Sequence, residues 1–185
     1  KKLQRDEALN LLQSYLQDEN HIKHSLAVEA IMRGLAEKLG EDVEKFGLTG
    51  LLHDIDYDMT GDEPQKHSLL GAEILTKQGL PDDLVYAVKV HNEIHGLERK
   101  SLLDKALYFC DPTSGFIMAA AMVRPEKQLA NVELKSLKKR FKEKAFARGA
   151  NREQMASCHE IGMELEQFLS IALESMKKIA PELGL

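Results

Sequence analysis

The stretch Gly50-Leu51-Leu52-His53-Asp54-Ile55-Asp56 decides the fold class of this chain. It closes an apolar segment, Val43 to Ile55, whose leucines recur at helical spacing. An aspartate that directly follows such a run is poorly explained by packing alone, because a buried carboxylate needs a partner. At the end of a helix, His53 and Asp54 can both turn toward one ion. The stretch therefore predicts an apolar helix that ends in either a metal-binding pair or a simple polar cap, and the order of the other candidates favours the metal-binding pair.

Four further side chains follow the same pattern. His24 and His67 each open an apolar helix, His91 closes one, and Asp111 ends the apolar run at residues 106–110. Neutral imidazole is the commonest metal ligand in proteins. Helix ends that converge make a polar pocket inside an apolar body, so the spacing predicts one site built from distant segments.

The composition limits the class of protein. The chain has 185 residues, of which 43% are hydrophobic and 30% are charged, which suits one folded domain and excludes a wholly disordered chain. The formal net charge of -5 argues against attraction to a nucleic-acid polymer or an anionic membrane.

The longest uncharged apolar run, Phe116 to Val123, is far shorter than the about 20 residues of a membrane span. The first residues lack the apolar stretch of a signal peptide, and Cys110 and Cys158 form no CxxC pair, so a cytoplasmic protein is expected.

Helical spacing dominates the rest of the chain, and no strand alternation is convincing. Among the predicted helices are His67 to Lys77, a pair over Ser101 to Cys110 and Ser114 to Val123, and Arg152 to Ile179. These patterns predict a single all-α bundle. We expect residues 1–123 to form the core, with the motifs within about 20–115, and residues 124–185 to form a helical extension packed on the same core. The six basic residues within 135–144 are read as a solvated helix face, with a phosphate-contacting or partner surface as the alternative.

The order of these residues resembles the HD-domain superfamily of metal-dependent phosphohydrolases. The phrase at residues 50–56 matches the core motif of that superfamily, and the segment His67 to Leu75 matches the pattern of its HDIG subgroup. The chain departs from HDIG at Asp56, where the subgroup has glycine. The resemblance covers roughly residues 20–115.

The resemblance implies a ligand set. His24, His53, Asp54 and Asp111 would hold a first metal, while Asp54 would bridge to a second metal held also by His67 and His91. Imidazole and carboxylate ligands without thiolate favour one or two divalent transition-metal ions, namely Fe, Mn, Zn, Co or Ni. Of the remaining histidines, His95 is left open between a ligand and a structural residue, and His159 is expected to be structural or solvated. His21 is expected on the surface before the helix of His24, although its three-residue offset leaves it near the same face.

For catalysis, the attacking group would be a metal-activated water, so no serine or cysteine nucleophile is needed. Asp54 would take part as the bridging carboxylate, and Asp56 or Asp58 would orient the water or carry a proton. Lys105, and also Lys23, would offset phosphate charge.

The resemblance implies a phosphohydrolase whose substrate is a phosphate ester or anhydride of a nucleotide or another small phosphorylated metabolite. From the net charge, neither a nucleic-acid polymer nor a membrane is expected as a partner. The stretch His91 to Gly96 resembles cyclic-dinucleotide phosphodiesterases only loosely, since Asn92 stands where they have histidine. Diadenosine polyphosphate hydrolases of the superfamily are also similar. Two alternatives remain open: a di-iron oxygenase of the same fold, and a metal- or nucleotide-binding module without turnover.

Overall fold

A computed structural model describes residues 2–185. Within that range the chain forms helices and turns and no β-strand, which confirms the predicted all-α bundle. No helix in the described range has both the length and the hydropathy needed to cross a bilayer. The α-helices are α1 Arg5–Tyr15, α2 Glu19–Leu39, α3 Val43–Leu52, α4 Leu69–Lys77, α5 Asp82–Val90, α6 Leu102–Met122, α7 Leu134–Phe141, α8 Arg152–Ala156, α9 Leu165–Lys177 and α10 Ala180–Leu183. Short 3₁₀ helices cover Asp58–Thr60, Glu93–His95, Leu129–Asn131 and Ser157–Ile161.

Helix α2 lies at the centre of the bundle and packs against α3, α6 and α9. It begins after Asp18, whose carboxylate accepts a hydrogen bond from the Asn20 N–H, and ends at Gly40 in the left-handed conformation. Its buried face joins one apolar core that also contains Phe109 of α6 and Phe168 of α9. Residues beyond 123 thus pack into the same core as α2, while the domain boundary at 123/124 stays a prediction.

A glycine sets the distance between α2 and α3. A Cβ atom at Gly50 would lie 2.9 Å from backbone atoms of Glu29 and from the Val28 carbonyl oxygen. Only glycine therefore allows α3 to approach the α2 backbone this closely. This contact fixes the end of α3, and with it His53 and Asp54, relative to α2.

Three predicted helix boundaries were wrong. The pair predicted around Pro112 is one continuous helix, α6, because the carbonyl of Tyr108 that proline leaves without its helical partner accepts instead from Gln154 Nε2 at 2.7 Å. The long helix predicted over 152–179 is broken at Gly162, whose φ of 77° ends the 3₁₀ helix before α9 begins. The helix predicted from His67 begins at Leu69, so His67 lies in the preceding turn.

The basic run forms α7 and the turn after it. Leu137 is buried, Lys138 pairs with Glu166 at 3.1 Å, and Arg140 pairs with Glu143 at 2.9 Å. The two cysteines are free and buried.

Candidate metal centre

The six predicted ligands come from five segments that meet at one place. His24 lies in α2, His53 and Asp54 follow α3, and Asp111 lies in the middle of α6. His67 lies in the turn before α4 and His91 follows α5. Their side chains form two groups that share Asp54, and within each group the nearest ligand atoms lie within 4.8 Å of one another.

The first group contains His24, His53, Asp54 and Asp111. His24 Nε2 lies 3.2 Å from His53 Nε2 and 2.9 Å from Asp111 Oδ1. Asp54 Oδ2 lies 3.3 Å from His53 Nε2 and 3.5 Å from His24 Nε2. Two imidazole nitrogens and two carboxylate oxygens thus face a common centre, as the ligands of a divalent transition metal do.

The second group is built on the other oxygen of the same carboxylate. Asp54 Oδ1 lies 3.2 Å from His67 Nε2 and 3.2 Å from His91 Nε2. Within the two ligand groups, Oδ1 of Asp54 therefore faces His67 and His91, while Oδ2 faces His24 and His53. A carboxylate that bridged two cations would be shared between two ligand groups in this way.

The far side of each imidazole ring is fixed by a hydrogen-bond partner. His53 Nδ1 is 2.7 Å from the Gly50 carbonyl oxygen, and His91 Nδ1 is 2.5 Å from that of Val88. The other two contacts are His24 Nδ1 to Ser114 Oγ at 3.1 Å and His67 Nδ1 to Asp56 Oδ1 at 2.6 Å. A ring that donates through Nδ1 keeps the lone pair on Nε2, which is the tautomer a metal ligand needs.

The electrostatics of the cluster favour a bound cation. Burial raises the pKa of Asp54 and of Asp111, but the charge of His53 and hydrogen bonds from neighbouring imidazoles outweigh it and hold both pKa values well below the ordinary range. Burial lowers the pKa of His24 and of His67, yet their hydrogen bonds to carboxylates raise both pKa values to about 9. The carboxylates of Asp54, which is buried, and of Asp111, which is partly exposed, therefore stay charged and require positive charge beside them. Protons on the imidazoles supply that charge in the metal-free protein, and a divalent cation would replace them.

His21 was predicted to lie on the surface, and this prediction was wrong. It lies inside α2, one turn before His24, because the helix already begins at Glu19. Its Nε2 is 2.7 Å from Asp54 Oδ2, and its ring stacks on Tyr57 with centroids 3.6 Å apart. The three-residue offset from His24 was the sequence signal for this placement, since it puts both side chains on one helix face.

Two other histidines lie outside the ligand groups. His95 Nε2 is 2.7 Å from the His67 carbonyl oxygen, so it supports the turn that carries His67. His159 is exposed, and its Nδ1 lies 2.8 Å from the Ala156 carbonyl oxygen.

Asp56 was expected to orient a water in the cavity. The structure does not place it there, so this prediction was wrong. It is fully buried behind His67. While Oδ1 faces the imidazole, Oδ2 accepts hydrogen bonds at 2.7 Å from the backbone N–H groups of Ser68 and Gly71. Ser68 has a φ of 74°, so these bonds also hold a strained turn. The carboxylate fixes His67, while Asp58 caps the Gln17 N–H at 2.8 Å.

The two lysines expected to face a phosphate lie elsewhere. Lys105 precedes Asp111 by six residues in α6, which is about 9 Å along the axis and about 120° around it. Lys105 does not line either of the two cavities that flank the cluster and are described below. Lys23 places its Nζ near Gly184, at the carboxyl end of the chain.

Two open cavities flank the cluster and together form a groove. The first, of about 470 Å³, lies beside His24 and is called the α6 arm. The second, of about 390 Å³, lies beside His67 and His91 and is called the loop arm. Asp111 and Gln154 line both. The remaining wall of the α6 arm is Pro112, Gly115, Ala119, Ala147, Gly149 and Ala150, and that of the loop arm includes Tyr57, Thr60, Gly61, Pro64 and Asn92.

Comparison with known proteins agrees with this geometry. Curated relatives named Ribonuclease Y include that of Nitratidesulfovibrio vulgaris, 37% identical over 75 residues, which are 40% of this chain and 14% of the relative. Ribonuclease Y of Lawsonia intracellularis is 33% identical over 94 residues, which are 51% and 18% of the two chains. Ribonuclease Y of Rubrobacter xylanophilus is 28% identical over 179 residues, which are 95% and 34%. The chain thus spans about a third or less of the length of these relatives.

No solved structure matches the chain significantly. The family profile described as HD domain matches residues 22–115, which contain all six residues of the two ligand groups. That match covers half of the chain, and the six residues of the ligand groups within it converge as one cluster. This chain belongs to the HD-domain family.

Proposed function

We propose that this chain is a metal-dependent phosphohydrolase that cleaves a phosphate ester or anhydride of a nucleotide. The single observation that carries the proposal is the division of Asp54 between the two ligand groups, with Oδ2 facing His24 and His53 and Oδ1 facing His67 and His91. Membership of the HD-domain family adds the expectation of divalent-metal chemistry. The nitrogen and oxygen donors favour Fe, Mn, Zn, Co or Ni over calcium.

The residues of the site would divide the work between them. Divalent cations bound to the six ligands would supply an activated water and neutralise the scissile phosphate. Asp54 would hold the two positions at a fixed separation. The Gly50 and Val88 carbonyls would keep His53 and His91 in the ligating tautomer, and Asp56 would do the same for His67.

The shape of the groove favours a phosphate that carries substituents on two sides. One arm extends from the cluster past His24 and the other past His67 and His91. A diester or an anhydride would occupy both arms, whereas a monoester needs only one. Both arms are open to solvent, so a longer chain would also fit, and the relatives are named for the cleavage of RNA. We therefore place RNA among the candidate substrates, despite the net charge of -5.

The test combines metal analysis with hydrolysis. Protein purified without added metal, then loaded with each of the five ions, should bind one or two equivalents and cleave a phosphodiester. Asp54→Asn should lose both properties. Asp104→Asn is a control for replacing a buried aspartate, because Asp104 is as buried as Asp54 but accepts two backbone N–H groups at the start of α6 and does not contact the cluster. Less than about one equivalent of metal, with no cleavage under any ion, would refute the proposal.

Oxygen consumption without phosphate release would instead identify the iron oxygenase. Tight nucleotide binding without a product would identify the binding module.

A further inference from the structure

The α6 arm is built partly from a segment outside the residues that match the family. Its inner wall comes from α6, and its outer wall comes from residues 147–150, in the loop between α7 and α8. The family match ends at residue 115. The C-terminal segment of this chain therefore forms half of a cavity that begins at His24 and Asp111.

A single side chain holds the loop that forms this outer wall. The guanidinium of Arg152 donates to the carbonyl oxygens of Ala147 at 3.1 Å, Ala150 at 2.8 Å and Phe146 at 2.5 Å. It also donates to the carbonyls of Phe141, Glu143 and Arg140 at 3.0, 3.1 and 3.4 Å. The Arg152 guanidinium thus holds most of the turn over residues 140–150 through hydrogen bonds to its carbonyl groups.

The loop needs this fastening. Ala147 has a φ of 47°, which a residue with a Cβ adopts only at a cost. The guanidinium also lies 4.8 Å from the ring centroid of Phe116, so it is anchored on α6 as well as in the loop. Arg152 therefore sets the distance between the two walls of the arm.

A second residue of α8 places a polar group at the mouth of the same arm. Gln154 Nε2 donates to the Tyr108 carbonyl, the acceptor that Pro112 leaves without a helical partner. This bond fixes the amide where the two arms meet. A primary amide has two N–H donors and one acceptor, so an N–H and Oε1 are left for a ligand. Such a pair matches the donor and acceptor edge of a nucleobase.

We propose that the α6 arm is the subsite for a nucleoside attached to the scissile phosphate, and that Arg152 is the positioning residue that holds its outer wall. The volume of about 470 Å³ suits a small ligand. Walls of proline, glycine and alanine leave a space for a flat ring, and Gln154 adds the polar pair for its edge. The inference rests on the proposed hydrolase function and adds to it the part of the substrate that is recognised.

The test compares two diesters with the same leaving group. A nucleoside 5′-(p-nitrophenyl phosphate) carries a nucleoside, whereas methyl p-nitrophenyl phosphate does not, and both release p-nitrophenolate. The wild-type protein should prefer the nucleoside diester by at least about tenfold in kcat/KM, equivalent to about 1.4 kcal/mol. The preference is a ratio on one enzyme, so it does not depend on how much metal is loaded.

Gly115→Leu should remove the preference by filling the α6 arm. A Cβ at Gly115 meets nothing within 4 Å, so the new side chain extends into the cavity without a backbone clash. Gly61→Leu fills the loop arm instead, from another position where a Cβ has only an ordinary contact, and should lower both activities in proportion. Ala130→Leu, at an exposed position away from the groove, should leave both activities unchanged. Should Gly115→Leu fail to fold, Gly149→Leu fills the same arm from the loop side, where a Cβ also meets nothing within 4 Å.

Arg152→Lys keeps the positive charge but loses the planar guanidinium that donates to several carbonyls at once. The preference should fall by at least about fivefold through a higher KM for the nucleoside diester, with kcat retained, because the wall moves while the metal ligands do not. A loss of kcat on both substrates would show a merely structural role. A dinucleotide and a short RNA, used as competitors of the nucleoside diester, distinguish a small substrate from a polymer.

The outcomes separate the two proposals. Cleavage of both diesters at equal efficiency, or a preference that survives Gly115→Leu, overturns the nucleoside subsite and leaves the hydrolase intact. No cleavage of either diester by the metal-loaded protein overturns the proposed function itself.

Discussion

Replacing Asp56 by asparagine should weaken one metal position without touching a ligand. Asp56 Oδ2 accepts from the backbone N–H groups of Ser68 and Gly71, while Oδ1 accepts from His67 Nδ1. In Asp56→Asn, the amide oxygen must remain with the two backbone donors, so the NH₂ group faces His67 Nδ1. The imidazole then has to accept at Nδ1 and carry its proton on Nε2. That tautomer cannot ligate, so the position held by His67 and His91 should lose affinity.

The expected magnitude follows from the geometry. Loss of an outer-shell partner of a ligating histidine lowers metal affinity by about 10- to 100-fold, or about 1.4 to 2.7 kcal/mol. The two hydrogen bonds to backbone N–H groups change from charged to neutral, which costs about 1 kcal/mol each in folding stability. Asp104 also accepts two backbone N–H groups but contacts no histidine of the cluster. Asp104→Asn should therefore lower folding stability by a similar amount and leave metal affinity unchanged.

The assay is a metal titration against a chromophoric chelator, with metal content measured on the same samples. Of two binding steps in the wild-type protein, Asp56→Asn should weaken one by the stated factor and leave the other unchanged. Nitrogen-15 NMR of the imidazoles in the zinc-loaded protein should show the tautomer change at His67, which a general loosening of the fold would not produce. If Asp56→Asn binds two equivalents with wild-type affinity, the role assigned to Asp56 is wrong.

Three further predictions concern the same cluster. Asp54→Asn should reduce phosphodiester turnover by more than about 100-fold, which is the upper end of the effect of losing a hydrogen-bond partner of a ligand. The reason is that the carboxylate of Asp54 belongs to both ligand groups, so metal content should fall as well. The folded-state pKa values of His24 and His67, about 9, lie above the unfolded value of 6.5, so their contribution to stability is complete below pH 6.5 and is lost as pH rises through 9. The metal-free protein should accordingly unfold at lower urea concentration at pH 9 than at pH 6.5, whereas the metal-loaded protein should not, since neutral imidazole is the ligand form. Gly50→Ala should lower the free energy of unfolding by about 1–3 kcal/mol in a urea titration, because its Cβ would overlap the Glu29 backbone; an unchanged midpoint would contradict the close approach of α3 to α2.

The sequence predicted the parts of the site whose signal is local. His53-Asp54 after an apolar helix, and four more candidates beside apolar runs, were visible as residue types in a fixed order. The predicted helix ends were wrong for His24 and Asp111, which lie inside α2 and α6. Helical spacing also predicted the all-α class, because amphipathic periodicity is a property of each segment alone.

Helix boundaries were less predictable where a distant residue supplies the missing hydrogen bond. Pro112 reads as the end of a helix, since its ring removes one backbone donor. The helix continues because Gln154, 46 residues away from Tyr108, satisfies the carbonyl that proline leaves free. Local sequence carries no signal for that partner.

The roles of individual polar side chains depended on tertiary structure in the same way. Asp56 reads as one more acidic residue in a polar loop, yet its partners lie 11 to 15 residues further along the chain and bury it completely. His21 carried a usable signal in its offset from His24, but its contact with Asp54 exists only because α2 packs against the end of α3.

What the sequence by itself determined is therefore the chemistry: which ligands are present, in what order, and on helices of what kind. The tertiary structure decided their roles, because a role is set by the hydrogen-bond partner and the exposure that packing gives each side chain. It divided Asp54 between two groups of histidines, placed Asp56 behind His67, brought Gln154 from the C-terminal segment to the wall of the groove, and placed Arg152 on the loop that forms part of that wall. Contacts between segments tens of residues apart arise from the burial of apolar helix faces, and that burial is a property of the whole chain.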